Sequence, residues 1–159
     1  MAWHARVLVI ANVTADSPEL LAALSARAEQ GTIEATLLMP ATRIGLRGRE
    51  EAQVRLDEAI EAWREAGIEA AGIVGDPDPV VAVHEAWDPH AFDEVIVSTL
   101  PGHSSKWLQF DLPHRVTQIT GLEVTHVATR KRPQLRFSAP PEREKREFGP
   151  LTLRSPRNR

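Results

Sequence analysis

Five consecutive residues, Gly102-His103-Ser104-Ser105-Lys106, bring together a glycine, an imidazole, two hydroxyls and an ammonium. Backbone N–H groups next to a glycine, together with hydroxyl and ammonium donors, suit a phosphate or another anion. Arg115 lies a short way downstream and adds a second fixed positive charge. The same residues also have a structural reading. In it Ser104 and Ser105 satisfy the loop backbone, Lys106 is solvated, and Trp107, Leu108 and Phe110 anchor the loop. A serine beside a histidine suggests acyl transfer, but a nucleophile elbow needs glycine where Lys106 stands, and no acid partner is evident. The remaining histidines, His4, His84, His90, His114 and His126, show neither H-E-x-x-H nor a helical i, i+4 pair, which argues against zinc. The chain has no cysteine, so disulfides, thiolate metal sites and cysteine nucleophiles are excluded together. Asp76 and Asp78 alternate with prolines and read as helix caps rather than a catalytic pair. The chemistry points to binding, and the protein is expected not to be an enzyme.

These residues need a scaffold, and the hydrophobic pattern supplies one of repeated strand and helix units. Residues 6–11 read as a strand, and Asp16-Ser17-Pro18 opens a helix that places Leu21, Leu24 and Ala28 on one face. A second strand covers 33–39. A polar loop holding Gly45 and Gly48 leads to a helix over 50–66. Leu56, Ala59, Ile60 and Trp63 fall at i, i+3, i+4 and i+7 there, with Arg49, Glu51, Arg55, Glu58 and Arg64 on the solvated side. Strands over 68–74, 93–99 and 123–128 follow. A helix carrying Val80, Val83 and Trp87 separates the first two, and one from Asp111 to Gly121 separates the last two. Strand 93–99 is nearly all apolar, as a strand buried on both faces should be. Parallel strands joined by right-handed crossovers predict a doubly wound α/β fold with a five-stranded parallel sheet and helices on both faces. Where strand order reverses in such a sheet, a crevice opens at the strand ends.

The order and local sequences of residues 6–129 resemble the universal stress protein family. The resemblance rests on Val7 to Ala11, the turn Gly75-Asp76-Pro77, the run Asp93-Glu94-Val95-Ile96-Val97-Ser98 before a glycine-bearing loop, and the closing strand after Gly121-Leu122. It implies sheet order 3-2-1-4-5, a homodimer, and in many members ATP or a related adenine nucleotide beyond strands one and four. It implies Asn12, Val13, Met39, Ser98, Gly102, His103, Ser104, Ser105, Lys106 and Arg115 as the nucleotide-binding residues. Members with the full phosphate loop look like G-x-x-G, nine residues, then G-S or G-T. Here Gly102 matches the first glycine, but Ser105 stands at the second; strict counting puts Arg115 at the third, a shorter loop instead places Asp111 and Leu112 at the helix start, and Asn12 replaces a common aspartate. A carboxylate at a helix start satisfies the helix N–H groups itself and repels phosphate.

The formal net charge of −3 hides an asymmetry, because residues 130–159 hold ten of the 19 basic residues and three of the 22 acidic ones. This proline-containing stretch reads as an extended basic C-terminal arm of formal charge about +7, attached to a body (residues 1–129) of about −10. Its glutamates argue against nucleic acid as a partner. The apolar run 7–11 is too short for a signal peptide and no stretch is long enough to span a membrane, so a cytoplasmic protein is expected. Two functional classes follow. One is a stress-response regulator holding an adenine nucleotide or similar anion. The other is a dimeric interaction module that has lost its pocket and works through the basic arm.

Overall fold

Alternation of two buried faces governs the sheet. In the computed structural model, which describes residues 4–102 and 105–130, Val7 and Val9 of the first strand join one apolar core and Leu8 and Ile10 the other. In chain order the elements are β1 (His4–Ile10), α1 (Pro18–Gln30), β2 (Thr32–Pro40), α2 (Leu46–Glu65), β3 (Glu69–Gly75), α3 (Pro79–Ala86), β4 (Glu94–Thr99), α4 (Lys106–Gln109), α5 (Leu112–Thr120) and β5 (Val124–Ala128). All four pairings are parallel, and the sheet order is β3-β2-β1-β4-β5. The doubly wound fold expected from the sequence is therefore present. Among the described residues no helix is long and apolar enough to cross a membrane. The basic arm from Lys131 onward and Trp3 lie outside the described residues.

Helices α1 and α2 cover one face through Leu20, Leu24, Leu56, Ile60 and Trp63, and α3 and α5 cover the other through Ala82, Val83, Leu112 and Val116. Trp63 is fully buried, and its indole N–H donates to the Ala15 carbonyl at 3.0 Å, which ties α2 to the chain leaving β1. Close approach of α2 to the sheet needs Gly72, where a Cβ would stand 2.6 Å from Leu56 Cδ1. Ser17 and Asp78 cap α1 and α3 through their side chains, each followed by proline. Asp76 receives the Asp78 N–H, so both aspartates shape the turn as expected.

The helix over 50–66 starts earlier than expected, at Leu46. Gly48 is buried in its first turn, where any Cβ would strike the Arg43 carbonyl, so the glycine serves a close contact and not a loop. Trp87 follows α3 rather than belonging to it, and stacks on Phe92 with centroids 6.0 Å apart. His84 is exposed on α3.

At the N-terminal edge of the sheet Arg6 grips Asp93. Its backbone N–H donates at 2.9 Å and its guanidinium at 3.2 Å, while the Asp93 N–H returns a bond to the Arg6 carbonyl. The bond from the Arg6 side chain, followed by the one from its backbone, holds the Asp93 carboxyl below the usual carboxylate range. A lowered folded pKa stabilises the fold above the unfolded value, about 3.9, and that stabilisation is lost as pH falls through the lower folded value. Urea titrations from pH 7 to pH 2 should show Asp93→Asn less stable than the parent at neutral pH, with the gap closing below about pH 4. The gap is expected to be small, since the two side chains are 40% and 37% exposed and screened by water.

Candidate functional site

β1 and β4 lie side by side, yet the chain leaves β1 toward α1 on one face and leaves β4 toward α5 on the other. Among the described residues no crossover covers their C-terminal ends, and a crevice of about 280 Å³ opens there. Its floor is hydroxylic. Thr14 Oγ1 and Ser98 Oγ share a buried hydrogen bond of 2.7 Å, and Thr99 Oγ1 pairs with His126 Nε2 at 2.8 Å. Its walls are apolar, made by Val13, Leu100 and Trp107. Lys106 stands exposed at the rim, in the first turn of α4.

Local structure sets each of these groups. Ser105 caps α4 by accepting the Leu108 N–H at 3.2 Å, and its own N–H closes a turn onto the Gly102 carbonyl at 3.0 Å. Gly102 has φ of +29°, which favours glycine at this turn. Asn12 is held from both ends, its Nδ2 donating to the Pro40 carbonyl at 2.9 Å and its Oδ1 accepting from Arg55 Nη1 at 2.7 Å. Arg55, expected on the solvated side of α2, is in fact half-buried behind Asn12. Its position next to Leu56, at the border of the apolar stripe, was the available signal.

Five of the sequence-derived residues, Asn12, Val13, Ser98, Ser105 and Lys106, meet at this crevice. Gly102 shapes the loop beside it without lining it, and His103 and Ser104 lie outside the described residues. Met39 does not reach the crevice, being fully buried in the core under α1 and α2. Arg115 is also elsewhere. Its guanidinium lies 5.9 Å from the centroid of the Phe110 ring, beside Asp78 and Val80 of the α3 side. Trp107, expected as a loop anchor, is half-buried against the second core and forms a wall of the crevice.

The helix-start carboxylate also differs from expectation. Asp111 makes no side-chain cap, and its backbone is left-handed with φ of 58° and ψ of 51°. It does not line the crevice. Among the described residues no group of three or more potential ligands is placed to hold a metal ion. The chain matches no family model and no curated protein in sequence comparison.

The floor should be sensitive to loss of one hydroxyl. Ser98→Ala leaves the Thr14 hydroxyl without its buried partner and should cost about 1–2 kcal/mol in chemical denaturation, with the double change Thr14→Val, Ser98→Ala recovering part of it. Asp111→Gly should do the reverse. Glycine usually costs stability, but at a left-handed position it relieves about 1 kcal/mol of backbone strain, so the variant should melt at or above the parent temperature.

Proposed function

We propose that this protein is a small-molecule-binding regulator of the universal stress protein type, without turnover, which takes an adenine nucleotide or a similar flat, anionic compound in the crevice between β1 and β4. One observation carries the reading: a hydroxyl floor, apolar walls that include Trp107, and the ammonium of Lys106 converge where the sheet order reverses. The sheet order is the one the family resemblance implies, which supports the proposal at the level of fold; the crevice residues carry the functional part.

The geometry also sets limits on how such a ligand would bind. A volume of about 280 Å³ suits a nucleoside better than a whole nucleotide, so the phosphates would run outward past Lys106. With one glycine in the loop, few backbone N–H groups can turn toward them, and Lys106 contributes as a point charge. Arg55 keeps Asn12 fixed rather than reaching the ligand, and Arg115 takes no part. Affinity should therefore be modest and led by the base and ribose. In this reading the protein works as a homodimer, with the outer edge of β5, where Thr125, His126 and Ala128 are exposed, as the surface that needs covering. Sedimentation at micromolar concentration should give a dimer, and a monomer would rule that part out.

Calorimetry with adenosine, AMP, ADP and ATP tests the pocket. We expect binding by all four, and a loss of about threefold to tenfold for the phosphorylated ligands in Lys106→Ala, with adenosine unchanged. Trp107→Ala should weaken every ligand, adenosine included. Absence of heat at millimolar concentration from a folded protein would sink the nucleotide reading and leave the interaction module acting through its basic arm.

A further inference from the structure

A second concavity, larger than the crevice, lies at the other end of the sheet. Among the described residues β3 is an outer strand paired only with β2. In parallel pairing a residue directs its N–H and C=O to the same side, and successive residues alternate. The Gly75 carbonyl accepts from Ala41 on the β2 side, so Ala70, Gly72 and Val74 present their backbone groups outward. Two arginines of α2 blunt this edge: Arg64 Nη2 donates to the Ala70 carbonyl at 2.7 Å and Arg49 Nη1 to the Val74 carbonyl at 3.4 Å. Gly72 lies between them, exposed, and no described side chain bonds its outward N–H or C=O. Beside it runs a groove of about 640 Å³ lined by Leu56 and Ile60, by the carboxylates Asp57, Glu61 and Glu65, and by Arg64, whose guanidinium is engaged by the Ala70 carbonyl, so its charge is acidic on balance.

The occupant must be extended to pair with Gly72, must carry apolar side chains at alternate positions for Leu56 and Ile60, and must be basic for the carboxylates. A second copy fits poorly, since edge-to-edge pairing of β3 would set one acidic groove against another. The chain itself contains a segment that fits. Residues 150–154 read Pro-Leu-Thr-Leu-Arg, with Leu151 and Leu153 alternating, and Arg154, Arg157 and Arg159 follow with no acidic residue after Glu147. Pro150 and Pro156 limit it to one short strand, as suits a sheet edge. The arm departs from Arg130, whose N–H donates to Glu19 Oε2 at 3.3 Å at the start of α1, on the same sheet face as the groove. From β5 to β3 the sheet spans about 19 Å, at ~4.8 Å per strand. The 20 residues 131–150 reach about 66 Å when extended.

We propose that residues 150–159 dock in cis on the outer edge of β3, adding a sixth strand at Gly72 and seating their arginines on Asp57 and Glu61. The absence of native cysteine makes the test direct, because Ser155→Cys carries a single nitroxide on the full-length chain. Amide signals of residues 71–73 and of α2 around Asp57 and Glu61 should lose more than half their intensity, and recover it in Asp57→Lys, Glu61→Lys. Reversal of two other exposed charges, Glu29→Lys, Glu85→Lys, should leave the broadening in place. Uniform or absent broadening overturns the proposal. So does persistence in the groove variant, equal loss in the control variant, or broadening that arises only between labelled and unlabelled chains. Should the groove variant melt early, hydrogen exchange of the unaltered protein decides: the Gly72 amide should exchange about tenfold more slowly at low salt than at high salt, and equal rates overturn docking.

Discussion

The handedness of parallel crossovers is the constraint from which the remaining architecture follows. β1 occupies the middle of the sheet, with β2 on one side and β4 on the other. Movement from β1 to β2 to β3 and movement from β3 across to β4 and β5 run in opposite directions, so right-handed connections must place α1 and α2 on one face and α3 and α5 on the other. The two apolar cores, the burial of Val7 to Ile10 in β1 and the strand ends left open among the described residues are three consequences of that single rule. The crevice is thus a product of topology, and its side chains decide only what it can hold.

Those side chains are tied to one another across long sequence distances. Thr14 with Ser98, Asn12 with Pro40 and Arg55, and Thr129 Oγ1 donating to Ser17 Oγ at 2.9 Å together tie the chain at the C-terminal ends of β1, β2, β4 and β5 into one rim. Hydroxyls suit this task because each both donates and accepts, so a buried pair satisfies itself without a charge. A ligand entering such a rim meets groups already ordered, and little further ordering entropy opposes it.

Much of this was legible in the sequence where periodicity and local chemistry agreed. The stripe Leu56, Ala59, Ile60, Trp63 is buried as its spacing implied, and Asp76 and Asp78 act as turn and cap. Pattern reasoning failed where tertiary contact overrode local preference. Gly45 and Gly48 suggested a loop, yet a helix passes through Gly48 because only glycine lets it cross the Arg43 carbonyl. Asp111 looked like a capping carboxylate, but a cap needs extended backbone, and this residue is left-handed. Arg115 and Met39 were placed by analogy to the pocket. The helix phase turns Arg115 toward Phe110, and strand alternation turns Met39 into the core. Arg55 shows the converse: a charged residue at the border of a stripe can snorkel inward when a neighbouring loop offers an acceptor.

The Arg6–Asp93 clasp lies at one end of the sheet and the Thr129–Ser17 contact at the other, and this placement has a mechanical consequence. The chain enters the sheet at the start of β1 and leaves it at the finish of β5, with β4 hydrogen-bonded between the two and all three strands parallel. Tension applied between those points loads the β1–β4 and β4–β5 ladders along their length, so their bonds share the force rather than parting in turn as a zipper does. Pulled between His4 and Ala128, the domain should behave as a shear-resistant body.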